Sequence, residues 1–501
     1  MKLNKLLEGI EGLRPMNGDL PEKNVSDVFF DSRKATGEGV FVCLRGSLSD
    51  GHLYAPSAYE KGCRLFVAQT PLHLPDDAFV FLCPDTRRAL AIMSDNLFGH
   101  PSRELFVIGI TGTKGKTTTA LMIYEILNAS GLPCGYIGSN GIDYGDFHID
   151  ATNTTPESYI TQMYLRHMRT AGVRYLVMEV SSQALYMNRV YGISFDVCVF
   201  TNLSVDHIGG HEHPDFDHYK ACKKSLFSDY GAKTVILNAD DSYTGEMKRA
   251  VPRGTKLIRY AMKNKADLKA DKPTRYRTEQ SLGISFSVTC DKETFRATLP
   301  FPGAFSVYNA LAAVAVCKEC GLPIKDIISR LSDIRIAGRF EIVEALKGVT
   351  FVIDYAHNKI SMQSALETLR QYDPNRLICL FGSVGGRTFG RRAELGEVAA
   401  AMADLCLLTS DNPDGEEPEA ILNEIAAAFN EDACPYLIIP DRAEAIRFAV
   451  KIAKEGDIFL LAGKGHERYQ LIRGEKLPFS ERDILLEACQ DRTNTKAEIF
   501  T

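Results

Sequence analysis

One ten-residue stretch, "GITGTKGKTT" at 109–118, constrains the fold of this chain more than any other feature. A strongly apolar run leads into it, and a run with helical character leads out of it. Its inner glycines let backbone N–H groups crowd around an anion, Lys116 adds a compact positive charge, and the Thr117 hydroxyl is suited to Mg²⁺. The order strand, loop, helix therefore predicts a nucleotide phosphate site.

The spacing of this loop departs from the common phosphate-loop pattern, G-x-x-x-x-G-K-[ST]. Counting back five residues from Gly115 reaches Ile110, whereas the first glycine of the stretch is Gly109. The structural alternative is an ordinary glycine and threonine turn before a core helix. That alternative leaves the Lys116–Thr117 pair and the preceding strand as coincidences, so we favour the nucleotide site.

Length, charge and hydropathy limit the classes of protein that this chain can belong to. A chain of 501 residues exceeds a single typical core, which predicts several domains. The net charge of −6 argues against a nucleic-acid surface, so we expect small-molecule partners and no nucleic acid. No apolar run approaches the roughly 18 residues that span a bilayer, and "MKLNKLLEGI" lacks a signal-peptide pattern. We therefore expect a cytoplasmic protein without membrane contact.

The alternation of apolar strands and helices predicts an α/β fold in three domains. The punctuation "GHPSRE" ends a first region of short strands and turns, so we place an N-terminal α/β domain at 1–103. Strands such as "YLVMEV" and "TVILNADD" alternate with helices beyond it, which predicts a central, ATPase-like domain with a parallel sheet at 104–333. Five apolar strands after "DIRIAGRFE" predict a doubly wound, Rossmann-like domain at 334–501.

Most of the C-terminal strands are followed directly by segments that are polar, charged or rich in glycine. In open α/β sheets, ligands bind beyond the carboxyl ends of the strands. Each of these residues taken alone could be a cap or a turn residue, but together they predict a binding cleft. They are Asp354, His357, Arg387, Asp411, Asn412, Lys464, His466 and Glu467.

The motifs of the chain together resemble one known family, the ATP-dependent Mur ligases of peptidoglycan synthesis. Within that family the chain is most similar to the members that add the third peptide residue to UDP-N-acetylmuramoyl-L-alanyl-D-glutamate. The early glycine of the phosphate loop is normal there. The motifs follow the family's order over nearly the whole chain: "DSRKATGEGVFVCLRGSLSDGH", "GITGTKGKTTT", "NTTPES", "MEVSSQAL", "DHIGGHEHPDFDHYKACKKSLF", "NADD", "GAFSVYNALAA", "AGRFE", "DYAHN", "DNPD" and "AGKGHE".

The resemblance implies ATP and Mg²⁺ as cofactors and a set of binding residues. For ATP these are Thr111, Gly112, Thr113, Lys114, Gly115, Lys116, Thr117, Thr118, Asn309, Arg339, Asp354 and His357. For the UDP-linked substrate they are Ser32, Thr154, Thr155, Ser181 and Arg189. For the incoming amino acid they are Arg387, Asp411, Asn412, Pro413, Asp414, Gly463 and Glu467.

The resemblance also implies catalytic residues, which are Lys116, Glu179, His207 and Lys223, and metal ligands, which are Thr117, Glu179, His207 and Lys223. Lys223 matches the lysine that the family carbamylates to N6-carboxylysine, which turns a cation into an anion able to bind a second Mg²⁺. The neighbouring Lys224 leaves open a solvated basic helix face instead. The implied reaction forms an acyl phosphate on the D-glutamate carboxylate, which an amine then attacks. We expect a monomer.

The stretch "SDNPDGEEP" bears on the identity of the amino acid. Family members that use meso-diaminopimelate typically have an arginine where this chain has Asp414, and that arginine grips the distal carboxylate. Asp414, helped by Glu416, Glu417 and Glu467, favours a side chain that ends in an ammonium group. We predict L-lysine, with L-ornithine and meso-diaminopimelate as alternatives, and Arg387 left to hold the α-carboxylate. Asp414 could instead only stabilise a Pro-Asp-Gly turn.

Three residues depart from the family motifs, and two other protein classes are alternatives to this family. Gln183, Lys114 and Lys359 replace a histidine, an asparagine and a proline, and these variants resemble the lysine-adding members. A folylpolyglutamate synthetase shares the central domain but does not carry the N-terminal "DSR" and "DGH" motifs. A non-catalytic nucleotide switch would not need a carboxylate, a histidine and a lysine after the loop.

Overall fold

The computed structural model describes residues 1–16, 20–46, 49–206, 208–209, 212–279, 281–386, 389–430 and 433–499, without the side chains of 495–499. The chain divides into two compact units, each described by itself below. The first is Met1–Leu268 with Leu311–Leu322, and the second is Lys269–Ala310 with Pro323–Thr501. The two domain boundaries at 103 and 333 stay a prediction, because this division does not test them.

The first unit begins with a small mixed sheet that carries its own core. Its elements are α1 (Leu3–Leu6), β1 (Arg14–Pro15), β2 (Asp27–Phe29), β3 (Gly39–Val42), α2 (Ala55–Glu60), β4 (Leu65–Ala68), β5 (Phe79–Leu82) and α3 (Thr86–Leu97). The five strands run in the order β1-β5-β4-β3-β2, with β1 antiparallel and the others parallel. Asp85 starts α3 by accepting the N–H groups of Arg87 and Arg88. Buried apolar residues of α1 and α3 pack on one sheet face.

A larger sheet follows in the same unit and holds the phosphate loop. Its elements are β6 (Phe106–Thr111), α4 (Lys116–Ala129), β7 (Cys134–Gly138), β8 (Gly141–Tyr144), β9 (Phe147–Ile149), α5 (Ser158–Thr170), β10 (Tyr175–Glu179), α6 (Ser182–Tyr186), β11 (Phe195–Phe200), α7 (Phe216–Ser228), β12 (Ala232–Asn238), α8 (Thr244–Ala250) and β13 (Lys256–Ala261). The strands run in the order β13-β12-β11-β6-β10-β7-β8-β9, parallel from β13 to β7. Central β6 is buried on both faces, as its apolar run predicts.

The second unit contains a six-stranded sheet covered by helices. Its elements, with the ends shared with the first unit, are β14 (Leu268–Arg277), β15 (Leu282–Cys290), β16 (Glu293–Leu299), α9 (Ala304–Glu319), α10 (Ile324–Arg330), β17 (Glu341–Val343), β18 (Thr350–Asp354), α11 (Lys359–Arg370), β19 (Leu377–Phe381), α12 (Gly390–Met402), β20 (Leu405–Leu408), α13 (Pro418–Ala426), β21 (Tyr436–Ile438), α14 (Arg442–Ile452), β22 (Ile458–Ala462), β23 (Tyr469–Ile472), β24 (Glu475–Pro478) and α15 (Glu481–Ile499). The sheet order is β17-β18-β22-β19-β20-β21, with only β17 antiparallel. The five strands predicted for a Rossmann-like domain all form.

Two further observations concern the cysteines and the lengths of the helices. All thirteen cysteines are free thiols, and eleven are buried, which agrees with their use as small apolar side chains. The other two, Cys320 and Cys434, are half-buried. Within the described part of the chain, every helix is too short or too polar to cross a bilayer.

Candidate active site

The phosphate loop lies between the carboxyl end of β6 and the first turn of α4. Gly112 has a φ of +150°, and a Cβ there would lie 1.9 Å from the hydroxyl oxygen of Thr201. Gly115 caps α4 with a φ of +83°. Any other residue meets a steric clash at the first position and backbone strain at the second. The two glycines thus allow the tight path of the chain from strand to helix.

The other residues predicted for the ATP phosphates lie on or beside this loop. The Lys116 ammonium group donates to the carbonyl oxygens of Gly112 and Thr113, at 2.9 and 3.2 Å. The ammonium group is therefore folded over the loop rather than extended into solvent. The remaining members occupy the end of β6, the loop and the first turn of α4: Thr111, Lys114 and Thr118.

Glu179 and Thr117, two predicted metal ligands, are in direct contact. The Thr117 hydroxyl donates to Glu179 Oε2 at 2.9 Å, while the Tyr136 hydroxyl and the Ser139 N–H donate to Oε1 at 2.7 and 2.8 Å. Glu179 is fully buried at the end of β10, next to central β6. Hydroxyl and carboxylate oxygens are the ligands that Mg²⁺ prefers, so the pair fits the predicted metal. The sequence did not single out Tyr136 or Ser139.

Lys223 lies on α7 and is buried against the same loop. Its side chain is 1% exposed, and its Nζ donates to the Gly112 carbonyl oxygen at 2.8 Å. Burial, with the nearby Lys116 charge, holds the pKa of Lys223 well below its usual range. The Tyr219 hydroxyl, one turn earlier, donates to Thr113 Oγ1 at 3.0 Å and ties α7 to the loop. The alternative of a solvated helix face is therefore wrong for Lys223.

Four of the residues predicted for the UDP-linked substrate form one hydrogen-bond network near the end of β10. Thr155 Oγ1 donates to the Glu179 carbonyl oxygen at 2.8 Å and accepts the Ser181 N–H at 3.2 Å. Arg189 donates to the Thr155 carbonyl oxygen at 3.1 Å, and Thr154 Oγ1 lies 3.0 Å from the Ser139 hydroxyl. The fifth residue, Ser32, opens the 3₁₀ turn Ser32–Lys34 beyond β2 and is not part of this network.

Two predicted residues lie outside the described part of the chain. They are His207, predicted as a catalytic residue and metal ligand, and Arg387, predicted to hold the amino-acid carboxylate. Both assignments stay predictions.

The other four residues predicted for ATP lie in the second unit, and two of them, Arg339 and His357, lie beside one aromatic ring. The Arg339 guanidinium lies 5.2 Å from the centre of the Tyr355 ring, and the His357 ring lies 4.7 Å from it. Asp354 accepts the N–H of Phe340 at 2.8 Å, and burial raises the pKa of Asp354 to about 6. Burial also lowers the pKa of His357, which favours the neutral ring. The fourth residue, Asn309, is buried on α9.

A cavity of about 550 Å³ lies in the second unit beyond the carboxyl ends of β19, β20 and β22. It collects most of the residues predicted for the amino acid and several that the sequence did not single out. The predicted members are Asp411, Asn412, Asp414, Gly463 and Glu467, and the additional charged or aromatic ones are Tyr355, Arg391, Tyr469 and Lys476. Pro413 instead lines a neighbouring cavity of about 350 Å³. Cations and anions therefore share the wall of the larger cavity.

A buried cation neutralises part of the negative charge in this wall. Lys464 is 0% exposed, and its Nζ donates to Asn412 Oδ1 at 2.9 Å and to Glu467 Oε2 at 3.0 Å. The Asn412 amide group donates to the same Glu467 oxygen at 2.9 Å. These three side chains hold one another in place, so Glu467 contributes less negative potential than its isolated charge suggests.

Asp414 has two structural roles at once. It lines the cavity, and its Oδ1 accepts the Gly474 N–H at 2.8 Å, in the turn between β23 and β24. Its φ of +51° is a left-handed conformation that aspartate and asparagine tolerate. Glu416 differs from the prediction, because both of its oxygens pair with Arg392, a side chain that is 1% exposed. The same guanidinium also donates to Glu424 at 3.0 Å, so Glu416 shares this cation and contributes less negative potential than an unpaired carboxylate would.

A buried ion pair fixes the spacing of two strand ends beside the cavity. Arg442 donates to Glu481 at 2.9 Å, and both side chains are almost completely buried. The same guanidinium donates to the carbonyl oxygens of Ser410 and Ala462, at 3.0 and 2.8 Å. These carbonyls come directly before Asp411 and Gly463 in the chain. Arg442 is thus a positioning residue for the cavity wall that the sequence analysis missed.

Comparison with known proteins gives matches over almost the whole chain. Family models for the Mur ligase middle domain and for the Mur ligase, glutamate ligase domain match residues 110–317 and 338–465. A UDP-N-acetylmuramoyl-L-alanyl-D-glutamate--2,6-diaminopimelate ligase from Caldanaerobacter subterraneus is 38% identical, over 97% of this chain and 98% of the relative. The protein of the same name from Geobacillus kaustophilus is 37% identical, over 98% and 100%.

Solved structures of similar proteins give the same result as these sequence matches. The structure of a ligase with the same printed name has a TM-score of 0.70 at 26% identity, and the match covers 98% of this chain and 99% of that one. A folylpolyglutamate synthase from Mycobacterium tuberculosis has a TM-score of 0.58 at 18% identity and covers 76% of this chain, which shows a shared fold alone. The predicted α/β fold, with a parallel central sheet and a Rossmann-like C-terminal part, is confirmed, and the chain belongs to the Mur ligase family.

Proposed function

We propose that this chain is an ATP-dependent ligase that joins a diamino acid to the D-glutamate of UDP-N-acetylmuramoyl-L-alanyl-D-glutamate. The observation that carries the proposal is the identity of 38% over nearly the full length to a ligase whose printed name contains that substrate. The contacts of Lys116 and Lys223 with Gly112 and of Glu179 with Thr117 support it, because phosphoryl transfer depends on such positioning around the phosphate loop.

The proposed reaction has two steps. The D-glutamate carboxylate takes the γ-phosphoryl group of ATP and ADP leaves. The neutral amine of the incoming amino acid then attacks the acyl phosphate, forms the amide and releases phosphate and a proton. Lys116 offsets negative charge on the phosphates. Thr117 and Glu179, with His207 and Lys223, would hold Mg²⁺, which when bound offsets charge on two anionic groups that must approach one another.

The surroundings of Lys223 support its carbamylation. The side-chain nitrogens of Lys116 and Lys223 both donate to one carbonyl oxygen, and Lys223 is buried. Its lowered pKa favours the neutral amine, which is the form that attacks CO₂. The nitrogen forms a bond to carbon and releases a proton, and the product is an anion. That anion removes the repulsion between two like charges.

We propose L-lysine as the incoming amino acid. The support is Asp414, a carboxylate in the cavity wall at the position where diaminopimelate-adding members typically have arginine. The second candidate is meso-diaminopimelate, which the names of the relatives favour. Arg391 and Lys476 in the same wall are suitable partners for its additional carboxylate.

A single assay tests both the ligase class and the identity of the incoming amino acid. Purified enzyme receives ATP, Mg²⁺, UDP-N-acetylmuramoyl-L-alanyl-D-glutamate and one of L-lysine, L-ornithine or meso-diaminopimelate, and phosphate release and product mass are measured. We expect the highest kcat/KM with L-lysine. A highest value with meso-diaminopimelate overturns the amino-acid assignment and leaves the ligase class intact. Phosphate release that does not depend on the UDP-linked substrate overturns the ligase class.

A further inference from the structure

Three potential metal ligands meet between α6 and α7, in a cluster formed by His213, His218 and Cys222. His218 and Cys222 are four residues apart on α7, so their side chains lie on one face of the helix. His213 reaches the same point from the segment before the helix. The two Nδ1 atoms are 2.8 Å apart, and Cys222 Sγ lies 3.8 Å from His218 Nδ1 and 4.0 Å from His213 Nδ1.

The cluster is shielded from solvent and one of its rings is oriented by a further contact. His213 is 2% exposed and Cys222 is 9% exposed. The Nε2 atom of His213 lies 2.9 Å from the Ser182 hydroxyl, so its Nδ1 atom is turned toward the other two ligands. Tyr186 packs edge-on against the His218 ring, with 4.8 Å between ring centres. A contact to the second ring nitrogen is the usual companion of a metal-bound histidine, because it fixes the tautomer and the ring orientation.

We propose that His213, His218 and Cys222 bind a divalent transition-metal ion of the zinc class. Two imidazole nitrogens and one thiolate sulfur are ligands that Zn²⁺ and Co²⁺ prefer, whereas Mg²⁺ prefers oxygen. Tetrahedral coordination with ordinary bond lengths places the nitrogens about 3.3 Å apart and the sulfur about 3.6 Å from each nitrogen. Each of the three observed distances differs from these by about half an ångström or less, so small side-chain rotations suffice.

The proposed ion is distinct from the Mg²⁺ predicted beside the phosphate loop. It has three protein ligands and one position left for water. It ties the segment that ends at His213 to two successive turns of α7, the helix that also carries Lys223. Because the ion binds the folded chain and not the unfolded one, it should raise the thermal midpoint of unfolding.

The alternative arrangement contains no ion. In it, the two imidazoles share a hydrogen bond between their Nδ1 atoms, and Cys222 is a buried thiol that contributes only packing. The distance of 2.8 Å fits such a bond, so the decision rests on metal binding in solution.

Cobalt titration of the full chain distinguishes the two arrangements. Co²⁺ is added to purified protein in the presence of excess Mg²⁺, which occupies oxygen-rich sites, and of a phosphine reductant that keeps thiols reduced. We expect one Co²⁺ per chain, a thiolate-to-cobalt charge-transfer band and the intense visible bands of tetrahedral Co²⁺, all removed by added Zn²⁺. Absence of the charge-transfer band overturns the proposal.

Matched variants assign the band to the cluster. Cys222→Ser should abolish the band. The matched control is Cys320→Ser, which removes a half-buried thiol directly after the end of α9 and should leave the band unchanged. His218→Ala tests the site at a half-buried position where folding is less at risk and should weaken Co²⁺ binding at least tenfold. A band that survives Cys222→Ser, a band lost in Cys320→Ser, or unchanged affinity in His218→Ala overturns the assignment.

Discussion

Lys116 and Lys223 donate to the same acceptor, the carbonyl oxygen of Gly112, at 2.9 and 2.8 Å. Two like charges on one oxygen repel each other, and the partly exposed Lys116 can leave while the buried Lys223 cannot. The contact therefore favours a neutral or anionic Lys223 and an ammonium group on Lys116 that turns toward phosphate.

Removal of the Lys116 charge should stop catalysis. Lys116→Ala should lower kcat about 100-fold or more, because the neighbouring buried amine cannot replace an ammonium group that touches phosphate. The measurement is phosphate release that depends on the UDP-linked substrate. The thermal midpoint serves as the control and should stay unchanged. A variant that retains more than half of the wild-type kcat contradicts the role of Lys116.

Lys223→Ala should be nearly inactive but chemically rescuable. Added short carboxylates such as acetate can enter the space left by the side chain and supply the oxygen atoms of the missing carbamate. We expect activity that rises with carboxylate concentration in Lys223→Ala and no such rise in Lys116→Ala. Full activity of Lys223→Ala without an additive rules out the carbamate.

The charge of Asp414 can be separated from its role in the turn. Asp414→Asn keeps an oxygen that accepts the Gly474 N–H and tolerates the left-handed backbone, so it removes only the charge. We expect KM for L-lysine to rise about tenfold, which corresponds to about 1.4 kcal/mol, with no change in thermal midpoint. Asp414→Arg should weaken lysine use further. An unchanged KM in Asp414→Asn means that the residue only stabilises the turn.

The buried pair Arg442–Glu481 should be costly to break from one side. Arg442→Met leaves a buried carboxylate without its partner, and we expect a loss of about 3–5 kcal/mol in the free energy of unfolding. The double variant Arg442→Met, Glu481→Leu should recover part of this loss, because no charge stays buried. Denaturant unfolding measures both. Equal stability of the single and double variants contradicts a direct coupling.

Asp354 should make the free energy of unfolding of the second unit depend measurably on pH. Burial raises the pKa of Asp354 from 3.8 to about 6, so the folded state holds the proton more tightly than the unfolded state. Stability should therefore fall as the pH rises from about 4 to about 6, by at most about 3 kcal/mol. Asp354→Asn should remove this part of the pH dependence. Parallel pH profiles of the wild type and the variant would show that Asp354 is not the source.

Features that depend on local sequence could be predicted. The path from β6 through Gly112 and Gly115 into α4 follows from an apolar run, two glycines and a lysine–threonine pair, all within one stretch. The gathering of Asp411 and Gly463 at one cavity follows from a general property of parallel sheets, whose carboxyl ends lie at the same edge.

Features that depend on the choice of a distant partner could not be predicted. Glu416 was expected to add negative potential as an unpaired carboxylate, yet it pairs with Arg392, 24 positions earlier, which also pairs with Glu424. Arg442 and Glu481 are 39 positions apart, and neither stands out from other charged residues in the sequence. Hydropathy and spacing report which face of an element is buried, but side-chain pairing depends on how separate elements pack.

Arg442 lines the smaller cavity beside Asp414, yet its two hydrogen bonds to Ser410 and Ala462 set how far apart the walls of the larger cavity stand. The dimensions of the cavity that we propose for the amino acid and the charges that line it are thus controlled by different residues. An enzyme built in this way can exchange one substrate for another through a few substitutions on the inner surface, without redesign of the scaffold. Directed evolution of new amide products should randomise Arg391, Asp414 and Lys476 and keep Arg442 constant.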